Sequence, residues 1–312
     1  MEREKTNDYL ISLLFIIIPT VLIIIGLIYF TYGPHGTKHG QYLNIPLFSG
    51  LLILLFGSII NKYNSYAKHI KIIGWIILAF FWSTLPNTLY YGEEGDFVNA
   101  FICIAGVYVL FYIAYHEWLS IKRNENVNCL NWMAGAAGIS GLIYFGIELT
   151  PLELWLREVV ANHSGALLNI FTGRVTVNEI FINYKSTTIS IIFACTAVQS
   201  MVIFVGMIFP LTNVKIKKKI IGICVTVIPV YFLNLVRNAG VVYLTEIYGQ
   251  EFFGTAHNVI GKGGSLIALI VLLLIVIKII PEVFDEILSI ADLYKRNGPL
   301  EQIAKKIIGR KK

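Results

Sequence analysis

Three short stretches of this sequence combine residue types that carry out acyl transfer. The first is Phe193-Ala194-Cys195-Thr196-Ala197-Val198-Gln199-Ser200, where a thiol, two hydroxyls and an amide interrupt an apolar run that continues to about Leu211. Polar groups in lipid-compatible sequence are expensive unless they face protein or a wet cavity. The second is Asn234-Leu235-Val236-Arg237-Asn238, in which Asn234, Arg237 and Asn238 share one face of a helix. The third is Gly254-Thr255-Ala256-His257-Asn258, a loop histidine. Each has an ordinary reading by itself: a buried Cys packs, an arginine snorkels, and a loop His is polar surface. Together they supply a nucleophile in Cys195, a fixed cation in Arg237 and a proton shuttle in His257. The thiolate attacks a carbonyl, the imidazole moves the proton, and the guanidinium stabilises the oxyanion and favours thiolate over thiol. Thr196, Gln199, Ser200, Asn234 and Asn238 are the expected supporting or substrate-binding groups. On an unbroken helix Cys195 and Gln199 fall one turn apart on one face, with Thr196 and Ser200 on the next.

The elements that position these groups are membrane helices. Of 312 residues, 56% are hydrophobic and only 14% charged, against about 25% charged in a soluble domain. Spanning the hydrocarbon layer takes about 20 apolar residues. Segments of that kind run at Tyr9–Tyr32, Leu43–Ile60, Ile70–Leu89, Phe97–Tyr115, Trp132–Leu149, Ile189–Leu211, Ile220–Tyr243 and Gly264–Ile280. The fold class expected is thus an all-α polytopic membrane protein of about eight spanning helices. Pro86 is placed to end the third early. Positive residues follow the even-numbered spans (Lys62, Lys68 and Lys71; Lys122 and Arg123; Lys215 to Lys219; Lys295 onward), while the Glu93-Glu94-Gly95-Asp96 loop is acidic. This pattern predicts both termini in the cytoplasm and the Thr150–Thr188 segment outside. In that frame Arg237 lies about 17 residues, or ~26 Å, past the inner end of the seventh span. Cys195 lies about six residues, or ~9 Å, below the outer end of the sixth.

The Thr150–Thr188 segment begins with Thr150 as N-cap and Pro151 at the first helical position. Leu152, Leu156, Val159 and Val160 then repeat at helical spacing, predicting an amphipathic surface helix to about Phe171. Alternation and β-branched residues in Arg174-Val175-Thr176-Val177, Ile180-Phe181-Ile182 and Lys185-Ser186-Thr187-Thr188-Ile189 predict a small β-hairpin feeding the sixth span. Asn162-His163-Ser164 is a formal glycosylation sequon. The tail from Glu282 reads as a solvated basic helix beside the inner leaflet. Three regions follow: an N-terminal four-helix part at 1–130, a core carrying the candidate site at 131–281, and a basic tail at 282–312. The four cysteines, Cys103, Cys129, Cys195 and Cys224, have neither CxxC spacing nor histidines at zinc-ligand distance, so no metal and no cofactor is expected. No Arg-rich face with interleaved aromatics suggests nucleic acid.

The Cys, Arg and His stretches resemble the signature of the exosortase/archaeosortase family. The resemblance rests on Ala194-Cys195-Thr196 with Gln199-Ser200, on Asn234-x-x-Arg237-Asn238, and on His257. It is strongest toward the archaeal branch, of the archaeosortase A type. It extends over about Leu149 to Ile280. What it implies is a cysteine transpeptidase that cleaves the C-terminal tripartite signal of secreted surface proteins at the outer face. That signal is a short motif, a transmembrane helix and a basic cluster. In the archaeal branch the new carboxyl is joined to a membrane lipid, leaving a lipid anchor. Implied partners are the tailed substrates, the lipid acceptor and the bilayer. Two other classes remain open from the residues alone. One is a transporter using Arg237 as an anion site, against which stands the near absence of intramembrane acids apart from Glu148. The other is a scaffold in which Cys195 packs and Arg237 snorkels.

Overall fold

A computed structural model describes residues 2–30, 39–61, 66–92, 97–307 and 309. The end of the first predicted span at Tyr32, Lys38, Lys62, the Glu93–Asp96 loop and the terminal Arg310, Lys311 and Lys312 lie outside these residues. The protein is an all-α polytopic membrane protein with one small sheet. Among the described residues, seven helices are long and apolar enough to cross a membrane. The chain forms two compact units, one of residues 1–138 with 286–312 and one of residues 139–285.

The first unit contains α1 (Glu2–Tyr29), α2 (His39–Ile60), α3 (Ala67–Ser83), α4 (Pro86–Tyr91), α5 (Phe97–Lys122) and the first half of α6 (Asn128–Glu148). α3 packs on both α2 and α5. Pro86 does end α3, as its sequence position predicts, and restarts the chain as the short α4. Close approach of α2 and α3 needs Gly74, where a Cβ would fall 2.8 Å from Leu54. Many outward side chains are apolar, Ile28, Leu52 and Ile59 among them, as a lipid-facing surface requires.

Two features of this unit differ from expectation. Lys71, counted above among loop lysines, is buried in α3 and pairs with the equally buried Glu117 at 2.7 Å. Glu117 was missed as an intramembrane acid because α5 continues two turns past Tyr115, to Lys122. A buried pair of this kind survives because each charge satisfies the other. The tail is packed, not solvated. Its helices are α11 (Glu282–Ala291) and α12 (Pro299–Ile307), separated by a 3₁₀ turn at Leu293–Arg296. Leu293, Leu300 and Glu301 are buried. Glu301 accepts hydrogen bonds from Tyr112 (2.9 Å) and Tyr115 (3.0 Å) and lies 3.4 Å from His116 Nε2. Arg296 donates to the His116 carbonyl (3.0 Å), Ser120 Oγ (2.9 Å) and Glu125 (2.9 Å). The hydrophobic stripe of α12 is thus used against α1 and α5.

The second unit holds the rest of α6, α7 (Leu152–Thr172), a three-stranded sheet, α8 (Val198–Ile208), α9 (Ile216–Tyr248) and α10 (Lys262–Ile279). The amphipathic α7 is present, starting one residue later than its cap signals predict. Its sequon lies in mid-helix with Ser164 fully buried. The predicted hairpin is a meander of β1 (Val175–Asn178), β2 (Phe181–Tyr184) and β3 (Thr187–Ser190), antiparallel in that order. β3 takes the first residues of the expected sixth span, because Phe181, Ile182, Asn183 and Tyr184 offer a ladder edge to the β-branched Thr187-Thr188-Ile189. What remains of that span is not one helix. It is a 3₁₀ turn at Phe193–Thr196, Ala197 in the left-handed conformation (φ 63°, ψ 6°), and then α8. At 11 residues, α8 is roughly 16 Å long, about half the hydrocarbon thickness.

Candidate functional site

Cys195 sits in the 3₁₀ turn that enters α8, not part-way down a spanning helix. The left-handed Ala197 breaks the helix between Thr196 and Val198, so Cys195 and Gln199 do not share a helical face. Gln199 is exposed and Ser200 half-buried. Thr196 is buried and shapes the turn: its hydroxyl donates to the Phe193 carbonyl at 2.7 Å and accepts from the Val198 N–H at 3.5 Å.

The turn is held from two sides. On one, α7 packs against it, and Arg157 Nε donates to the Ile191 carbonyl at 2.7 Å while its Nη1 pairs with Glu153 at 3.0 Å. On the other, α9 supplies two amides. Asn234 Nδ2 and Asn238 Nδ2, one helical turn apart, both donate to the Cys195 carbonyl, at 2.7 and 3.0 Å. Both asparagines are buried. One acceptor with two lone pairs thus satisfies two buried amides, and the backbone under the thiol is fixed to α9. Cys195 is 7% exposed and belongs to a buried apolar cluster with Val160, Ala161, Ile191, Leu235 and Ala239.

Arg237 falls between these asparagines in sequence and lies against Gly261. It lines a cavity whose opposite wall is built by α10 and the π-helical turn Thr255–Gly261. A Cβ on Gly261 would fall 2.9 Å from Arg237 Nε, so any larger residue there would make the arginine side chain shift. Arg237 Nε is buried with no hydrogen-bond partner. His257 belongs to the same π-helical turn, is half-buried, and stacks on Phe253 with ring centroids 5.5 Å apart. The fold therefore joins Cys195 to Asn234 and Asn238 directly. It joins Arg237 to the turn that carries His257. Gln199 and Ser200 stand outside the asparagine contact.

A family model described as transmembrane exosortase (Exosortase_EpsH) matches residues 45–276. This chain belongs to the exosortase family. Archaeosortase A of Haloferax volcanii is 22% identical in an alignment 223 residues long that covers 63% of this chain and 69% of that protein. No solved structure matches the chain. Family membership extends through α2 to α5, where the sequence alone suggests only hydrophobic spans. It takes in all three stretches with candidate chemistry.

One pair near the site was not legible in the sequence. His163 Nδ1 and the Tyr231 hydroxyl are 2.6 Å apart, joining α7 to α9. Tyr231 packs against the same apolar cluster as Cys195 and lies one turn before Asn234. The only local hint was that Tyr231 and Asn234 fall on one helical face. Arg157 carried a clearer signal: Glu153 and Arg157 are an i, i+4 pair near a helix start.

Proposed function

We propose that this exosortase-family protein is a cysteine transpeptidase that cuts the C-terminal tripartite signal of secreted surface proteins and transfers the new carboxyl to a membrane lipid. The observation that carries this reading is the double amide clamp of Asn234 and Asn238 on the Cys195 carbonyl. It fixes the candidate nucleophile to the one helix that also bears Arg237. An arginine whose Nε is buried without a protein acceptor suits a donor reserved for charge that develops during reaction.

In this mechanism the Cys195 thiolate attacks the scissile carbonyl carbon, and Arg237 stabilises the oxyanion. The C–N bond breaks, the leaving amine takes a proton from His257, and a thioester to Cys195 remains. A nucleophilic oxygen of the lipid acceptor then attacks the thioester carbonyl and gives its proton to His257. The C–S bond breaks, restoring the thiolate. Both termini are cytoplasmic and the site belongs to the outer leaflet, a reading supported by the lysines at 215 and 217–219.

The test is co-expression with a protein bearing a tripartite tail, followed by intact-mass analysis of its C-terminus. Wild type should yield the lipid-modified, shortened product. Cys195→Ala should yield none while remaining folded, and Cys195→Ser should be nearly inactive, because a hydroxyl ionises far less readily than a thiol. Arg237→Lys keeps charge but loses the planar fork and should cost about 10²–10³-fold. His257→Ala should be severe and partly rescued by added imidazole. Wild-type processing by both Cys195→Ser and Arg237→Lys would sink the mechanism.

A further inference from the structure

A groove of about 750 Å³ runs between α12, α1 and α5, at the end of the first unit where the tail packs. Phe15 of α1, Tyr108 and Tyr112 of α5, and Ile303 and Ala304 of α12 line it. Val109 and Ile307, also on its wall, are 55% and 79% exposed, so the groove is open to the lipid around the helices. Its volume lies within the range of about 300–1,000 Å³ that small-molecule sites occupy. The lining is mostly apolar but includes the exposed Lys305.

The basic groups at this end of the unit are of two kinds. Lys122 pairs with Asp8, Lys295 with Asp292 and Arg296 with Glu125. Lys305 and the flanking Lys306 have no acidic partner among the described residues. Lys305 Nζ donates to the Asn297 side-chain oxygen at 2.8 Å, and Lys306 Nζ lies 5.7 Å from the centre of the Tyr9 ring. Both partners are neutral, so two positive charges stand uncompensated beside an apolar trough. The one acid in the lining, Glu301, is buried and already engaged by Tyr112 and Tyr115. Among the described residues lining the groove none is glycine, and Ala304 is the smallest. A partner helix needs small residues for close approach, whereas a hydrocarbon chain fits among aromatic and branched side chains. We propose that the groove binds one anionic phospholipid of the surrounding leaflet, its hydrocarbon chain along Phe15, Tyr108 and Ile303 and its phosphate at Lys305 and Lys306. Interfacial lysines attract such a headgroup, and burial of the chain adds to that attraction. The bound lipid joins α12 to α1 and α5. The site is independent of the sortase reading and of which leaflet this end of the unit faces.

The test uses the full-length protein in detergent, titrated with phosphatidylglycerol or with phosphatidylcholine and read by native mass spectrometry. One phosphatidylglycerol should be retained about tenfold or more tightly than phosphatidylcholine, and it should raise the thermal unfolding midpoint. Lys305→Gln combined with Lys306→Gln should weaken that retention by about tenfold or more, because two interfacial cations are lost. Ala304→Trp keeps both lysines and fills the trough. It should weaken retention as much, with the midpoint of the lipid-free protein unchanged. Lys68→Gln combined with Lys295→Gln is the control, since it removes the same charge from residues that do not line the groove, and it should retain the lipid as wild type does. A phosphatidylglycerol carrying a diazirine in its chain should label residues 108–112 or 303–307. Where Ala304→Trp lowers the lipid-free midpoint, the lysine variants and the label decide.

Equal retention of the two lipids, or a loss in the control as large as in the Lys305 and Lys306 variant, would overturn the proposal. Full retention by Ala304→Trp, or labelling confined to other helices, would do the same. Inorganic phosphate that matched phosphatidylglycerol in raising the midpoint would overturn it as well, by showing an ion site with no place for a chain.

Discussion

At the scale of single residues, the arrangement around Cys195 is one carbonyl shared by two buried amides. Removing either asparagine takes one amide donor from the carbonyl, whereas removing both takes away the whole clamp, at a cost of about 1–3 kcal/mol. Asn234→Ala and Asn238→Ala should each slow processing only a fewfold, and the double variant should lose at least tenfold. The loss should exceed the product of the two single effects, because residues sharing one partner are not additive. Rates on a tailed substrate, with maleimide reactivity of Cys195 in parallel, would measure this. A double variant at wild-type rate would show that the clamp does not position the thiol.

Ala197 is the hinge of its element. Its φ of 63° is left-handed, a region that glycine occupies freely and alanine does not. That conformation separates the 3₁₀ turn from α8 and sets the direction of the Cys195 backbone. Ala197→Gly should raise stability, by about 0.5–1 kcal/mol, and Ala197→Val should lower it by more. Thermal unfolding in one detergent is the measurement, and equal midpoints for all three proteins would contradict it. Before the turn, β3, not α8, takes the first residues of the expected sixth span. The Arg157 bond to the Ile191 carbonyl then joins strand exit to α7. The Cys195 turn is thereby supported on rigid elements, as a site requiring fixed geometry needs.

At the scale of the whole molecule, two properties can be measured. The first is topology. α9 has 33 residues, roughly 50 Å at 1.5 Å each, enough to cross the bilayer with turns to spare. Reporter fusions at Lys218 and Gly254 should therefore land on opposite sides, with Lys218 inside, and a same-side result would defeat that orientation. The second is the pH response of the docked tail. Burial alone would push the Glu301 carboxyl up. Hydrogen bonds with His116, a backbone N–H and Tyr112 outweigh this and hold it at about 2. Because the folded value lies below the unfolded one, of about 4.3, the stabilisation is fully present above about pH 4.5. It is lost as pH falls toward 2. Glu301→Gln should weaken tail docking at pH 7 by about 1.5–3 kcal/mol, the worth of hydrogen bonds to a charged group. It should also flatten the pH dependence in that window. Hydrogen exchange across 293–307 at pH 7 and pH 3 would check both effects, and identical profiles for the two proteins would refute them.

Hydropathy and helical period are local properties, and they alone determined the membrane class, seven of the spans, the stop at Pro86 and the amphipathic α7. They also pointed to the residues with chemistry to offer, because a thiol, amides and a guanidinium stand out against apolar neighbours. Partners distant in the chain were beyond their reach. The β-branched Thr187-Thr188-Ile189 carries a strand signal in the sequence, but Ile189-Ser190-Ile191-Ile192 reads as helix by hydropathy, and the edge of β2, available after folding, decides that the strand runs to Ser190. Lys71 reads as a loop cation until Glu117 lies opposite it. The tail reads as solvated until Tyr112, Tyr115 and His116 receive Glu301. Asn234, Arg237 and Asn238 fall on one helical face by sequence. It was tertiary packing that brought the asparagines to the Cys195 carbonyl and the arginine to Gly261, since α9 meets more than one neighbour and a side chain's role follows from the partner it meets.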